Sequence, residues 1–224
     1  MNKTDLGKNC LISISVILLY FFWPTVLKAF WETFGGGTSV TLGMFIYNVV
    51  GYAILVGILV AIYYKPLKEN WIKFCKDKKK ITSILKYTAI LFIGVLICNS
   101  ILKYVFDVGV IENEADLLVQ FEKSPIWILL MVTIYYPIVE VIVFQKTIRQ
   151  VIEKPWIFIF VSSIFFGYFN IAFSKITLET LLGTLPYIFL NAVLAFSYYK
   201  KDNIMVPIGT KMLYNLVVTI ISFL

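Results

Sequence analysis

About seven stretches of this sequence are apolar for long enough to cross a lipid bilayer, and that repetition leaves few possible folds. A helix rises 1.5 Å per residue, so about 20 mainly apolar residues cover the hydrocarbon core. The stretches run roughly over 11–31, 41–63, 84–105, 125–145, 156–173, 177–198 and 204–223. In hydrocarbon every backbone N–H and C=O needs a partner from the chain itself, a condition that a helix meets unaided. The expected fold is all-α, a polytopic transmembrane bundle of about seven spans. Of the 224 residues, 60% are hydrophobic and 15% charged, against about 45–50% and 25% in soluble domains. A water-soluble globule is excluded. The connections are too short for a soluble domain, so residues 1–224 read as one membrane domain.

Sidedness follows from the basic residues, because cytoplasmic connections carry the excess of Lys and Arg. Alternate segments hold Lys3 and Lys8, then the run from Lys65 to Lys80, then Lys146, Arg149 and Lys154, then Lys200 and Lys201. The opposite connections carry Glu32, then Asp107, Glu112, Glu114, Asp116 and Glu122 against Lys123, then Lys175 and Glu179. This pattern predicts a multi-pass protein of the cell membrane with a cytoplasmic N-terminus and an extracytoplasmic C-terminus. The net charge of +7 is then an inner-surface signature, and no nucleic-acid partner is expected. Leu67, Trp71, Phe74 and Cys75 recur at helical spacing among lysines, as in a helix lying on an anionic leaflet; membrane lipid is its expected partner. The acidic stretch 107–125 reads equally as a re-entrant or surface helix and as a solvated loop.

Cys10, Cys75 and Cys98 are odd in number and lack metal-ligand spacing, which argues against a disulfide framework. The weakly basic N-terminus feeds an apolar run without a small-residue cleavage site, so a retained first helix is expected. The chain contains no histidine. The commonest general base and zinc ligand is therefore missing.

Ionisable groups at membrane depth are costly and mark candidate sites. Glu140 lies in the fourth span and Lys211 in the seventh, with Asn170 in the fifth and Asn215 one turn beyond Lys211. Asn99 and Asn191 are further lone amides. Counted from the nearest inner lysines, Glu140, Asn170, Lys211 and Asn215 lie about 15–24 Å deep and can share one layer.

At these residues the chain resembles the CPBP, or Abi, family of intramembrane CAAX-type and bacteriocin-processing proteases. That family's Pro-Ile before Glu-Glu and Phe-Arg is matched by Pro137-Ile138-Val139-Glu140-Val141-Ile142-Val143-Phe144-Gln145. The second Glu is Val141 and the Arg is Gln145. The motif of Phe and, four residues on, His reads Phe166 to Asn170; that of His and, four residues on, Asn reads Lys211 to Asn215. The run Ser162–Gly167, the run Tyr198–Ile204 and the pair Asn113-Glu114 add to the resemblance, which covers about residues 106–218.

In active relatives the glutamates and histidines would bind a metal or activate water against a peptide carbonyl. Here both histidine positions and one carboxylate are lost, which implies a pseudo-protease with no metal, no cofactor and no intact catalytic set. A buried Glu140–Lys211 ion pair is expected in place of the metal, with Asn170 and Asn215 donating to it; the alternative is a Lys211 that snorkels to the inner surface. The implied role is a membrane scaffold or chaperone for another membrane-anchored protein, with peptidoglycan hydrolases as one partner class. The Lys-, Ile- and Phe-rich composition suits a low-GC Gram-positive bacterium. An atypical active endopeptidase based on Glu140 and a bacteriocin self-immunity protein are the alternatives.

Overall fold

The computed structural model describes residues 3–34, 49–108, 125–172 and 174–222, and among them every regular element is helical. The elements are α1 (Lys3–Phe34), α2 (Gly51–Ile62), α3 (Tyr64–Lys76), α4 (Lys80–Val105), α5 (Pro125–Thr147), α6 (Pro155–Phe169), α7 (Leu178–Gly183), α8 (Leu185–Lys201) and α9 (Met205–Ser222). Five stretches are long and apolar enough to cross a bilayer: most of α1, then α4, α5, α7 with α8, and α9. The bent pair α2–α3 makes up to six. The acidic stretch and Asn113-Glu114 lie mostly or wholly outside the described residues.

The apolar stretches foreseen from the sequence are helical where described, and two depart from a simple span. α2 turns through 90° into α3. Pro66 has no N–H and its ring would meet the carbonyl of Ile62, so the helix breaks at Tyr63. α6 has 15 residues, a length of about 22 Å against about 30 Å of hydrocarbon.

Side chains sort by what they face. On α1 the outward row Leu11, Ile14, Leu18, Phe22, Val26 and Phe30 is exposed apolar surface, running about 28 Å along the axis. That is the length of a bilayer core, and it identifies the lipid-facing side. The inward row includes Val16 and Trp23, which join a core with Leu55 and Leu59 of α2, Leu91 of α4, Phe144 of α5, Phe158 of α6 and Leu194 of α8.

Hydrogen bonds gather the lysine-bearing connections at one end of the bundle. Gln150, just past α5, donates to Ser13 Oγ of α1 at 2.7 Å and to the Tyr63 hydroxyl at the α2–α3 bend at 3.1 Å. Ser13 Oγ donates to the carbonyl of Thr147 at 2.9 Å. Asn70 of α3 accepts the N–H of Ile204 at 2.8 Å and, through its carbonyl, the amide of Asn203 at 2.9 Å. α3 is thus fastened to the α8–α9 turn, where Asp202 takes a left-handed φ of 45° that Asp tolerates better than most residues.

A buried ion pair on a proline-broken helix

α5 is not a uniform α-helix. Its turns Met131–Tyr135 and Ile142–Thr147 are π-helical, on either side of the α-helical Tyr136–Val141. Pro137 accounts for the first. Tyr136 donates its N–H to the carbonyl of Met131, and the next bond in that register would run from residue 137 to Val132. Proline has no N–H to give. The open carbonyl of Val132 instead accepts from Asn215 Nδ2 of α9 at 2.7 Å.

One turn beyond Pro137, the carboxylate of Glu140 forms an ion pair with Lys211 Nζ of α9. Both side chains are withdrawn from the surface, Lys211 to 5% exposure and Glu140 to 17%. Lys211 Nζ also lies 4.4 Å from the ring centroid of Phe166 on α6. A desolvated cation over an aromatic face gains up to about 2 kcal/mol. The Phe166 ring packs T-shaped against Phe144, 4.9 Å away and fully buried, and Tyr20 packs T-shaped against Phe144 at 5.6 Å. Three helices therefore hold one ammonium: α5 by charge, α6 by its aromatic face and α9 by the chain that carries it.

The remaining motif positions do other work. Val141 is fully buried in the apolar core. Gln145 is buried as well and donates to Asn191 Oδ1 of α8; Asn191 Nδ2 donates to Ser162 Oγ of α6 at 2.8 Å, and Ser162 Oγ to the carbonyl of Phe144 at 2.7 Å. Asn170 Nδ2 donates to the carbonyl of Phe166 at 2.7 Å. The expected donation from Asn170 and Asn215 to the ion pair is replaced by bonds to main-chain carbonyls. The proline break leaves the carbonyl of Val132 open, and hydrocarbon offers it no water, whereas that of Phe166 also accepts the backbone N–H of Asn170 at 3.3 Å.

Metal binding at this place does not fit the donors present. The lone carboxylate is taken by an ammonium, the other polar groups are amides committed to carbonyls, and an adjacent Lys211 cation repels a second cation. No group of three or more His, Cys, Asp or Glu side chains comes together among the described residues. The ring of Phe166, the open carbonyl of Val132 and the Gln145–Asn191–Ser162 chain went unnoticed as partners in the sequence. Pro137 was the readable sign of the open carbonyl, and Ser162, Asn191 and Gln145 on neighbouring spans were the signs of the chain.

Residues 122–217 match the family model described as type II CAAX prenyl endopeptidase Rce1-like. That segment, less than half of the chain, is similar to the Rce1-like domains of the CPBP family. No curated protein and no solved structure matches the chain. The matched segment runs from just before α5 into α9 and contains the ion pair, Phe166 and both asparagines. With its apolar helices, it makes the chain a multi-pass membrane protein.

Proposed function

We propose that this chain is a catalytically inactive Rce1-like protein that serves as a membrane scaffold or chaperone. Its client would be another membrane-anchored protein, with cell-envelope enzymes such as peptidoglycan hydrolases as the partner class, in the cell membrane of a Gram-positive bacterium. The Glu140–Lys211 ion pair carries this reading. A general base has to be free to take a proton from water and be poised near the working pH. A carboxylate held against an internal ammonium is not free to do so, and the two positions where relatives carry imidazoles are Asn170 and Lys211.

The family match favours a second reading, an atypical intramembrane endopeptidase with Glu140 as its base. The deciding experiment expresses wild type, Glu140→Gln and Glu140→Gln/Lys211→Met in the native membrane, then combines a mild-detergent pull-down with mass spectrometry of co-purified proteins and their termini. A scaffold co-purifies a client whose termini are the same with all three proteins. Loss of a cleaved client terminus in both variants, with client binding intact, would establish the enzyme.

A further inference from the structure

The lysine-rich end of the bundle holds a pocket of about 370 Å³ between α4 and α8, away from the ion pair. Ligand pockets span about 300–1,000 Å³, so it has room for a small polar group. Lys79, Lys86, Lys200 and Lys201 line it. No carboxylate lines it, and among the described residues none of these lysines joins a salt bridge; the nearby Asp202 faces Lys73 at 3.9 Å. Four cations around one concavity repel each other unless an anion lies between them. Thr82 adds a neutral donor at the same wall.

The pocket is also polar at one end and apolar at the other. Phe196 and Tyr87 line it one turn deeper than Lys200 and Ser83. Lys200 Nζ lies 5.6 Å from the Phe196 ring centroid and Lys86 Nζ 6.0 Å from that of Tyr87, so both ammoniums sit over the aromatic floor. From Lys86 the same face of α4 continues into the membrane as Ile90, Ile93 and Ile97, all exposed. A phosphate with hydrocarbon attached satisfies both ends at once, whereas free phosphate leaves the aromatic floor and isoleucine track unused. We infer that this pocket binds the phosphate headgroup of an anionic phospholipid, whose acyl chains descend along Ile90, Ile93 and Ile97. Basic pockets between membrane helices have this chemistry.

The test uses the full chain, purified in mild detergent and stripped of lipid. Binding of phosphatidylglycerol, phosphatidylcholine and inorganic phosphate is followed by native mass spectrometry and thermal stability. Lys86→Gln/Lys200→Gln is compared with Lys65→Gln/Lys78→Gln, which removes as much charge from the same end outside the pocket. Phosphatidylglycerol should bind and stabilise the wild type, and the pocket variant should bind it roughly 30-fold more weakly, the usual effect of two lysines beside an anionic headgroup. The control variant should bind as wild type, and without lipid the pocket variant should melt no lower than the other two proteins, because its mutual lysine repulsion is relieved. Equal loss in both variants would reduce the pocket to general surface charge. Equal stabilisation by phosphatidylcholine, or displacement of phosphatidylglycerol by millimolar phosphate, would overturn the lipid assignment.

Discussion

The side-chain amide of Asn215 donates to the carbonyl of Val132 at 2.7 Å, supplying the hydrogen bond that Pro137 cannot give. Two features that look unrelated in the sequence, a proline in one span and an asparagine in another, form one structural unit. Its effect is to set the height of α9 against α5, and with it the register that brings Lys211 to Glu140.

Replacing Asn215 with Leu leaves that carbonyl without a partner in a nearly anhydrous setting. The expected loss is about 1–2 kcal/mol, the range for a buried hydrogen bond between membrane helices. Unfolding of the purified protein in mixed micelles measures it, and an Asn215→Leu protein as stable as wild type would contradict the assignment.

The Glu140–Lys211 pair predicts a particular pattern in a double-mutant cycle. Removing one partner strands a buried charge at about 3–5 kcal/mol, whereas replacing both with apolar groups of similar size is often neutral or better. Glu140→Gln and Lys211→Met should each lower the melting temperature strongly, and the double variant should recover most of it. Additive losses would mean that the two charges act independently.

Much of this fold was legible in the sequence because hydrophobic length and lysine placement are direct consequences of lipid as a solvent. α3 was foreseen as a helix from its lysines and spaced aromatics, and Tyr64–Lys76 is helical, since amphipathicity survives translation into structure. The π-helical turns of α5 were not legible. They change the backbone register without changing the apolar pattern, and Pro137 is read as a motif residue before it is read as a missing donor. Glu140 and Lys211 were found as charges at one depth, but depth alone did not bring in Phe166, because an aromatic ring in an apolar span looks like any other. Asn191 looked isolated for a similar reason. Its partners, Gln145 and Ser162, lie on two other helices and carry no charge to attract notice.

The chain through Asn191 gives a second cycle with a different signature. Asn191→Leu removes the acceptor for Gln145 Nε2, and Gln145 Oε1 already lacks a protein partner, so the whole amide becomes unsatisfied. A loss of about 1–2 kcal/mol is expected. Gln145→Leu/Asn191→Leu should be more stable than Asn191→Leu alone, because no stranded amide remains. The comparison is made by thermal unfolding in the same detergent, and a further loss in the double variant would argue against the chain.

Gly167 sits where α6 meets α8, next to Phe166. A Cβ at this position would run into Cγ1 of Ile188 and lie 3.1 Å from its Cδ1. Small residues allow such close approach between membrane helices, and overfilling a packed contact costs about 1–3 kcal/mol. Gly167→Ala should therefore destabilise, and Ile188→Ala added to it should cost less than it does in the wild type, because the truncated side chain makes room for the methyl group. The consequence extends to the site. Moving α6 outward carries the Phe166 ring away from Lys211, so Gly167→Ala should also weaken the coupling between Lys211 and Phe166 in a Lys211→Met, Phe166→Leu cycle. If that coupling is unchanged while stability falls, the spacing of α6 and α8 does not control the aromatic wall over the ammonium.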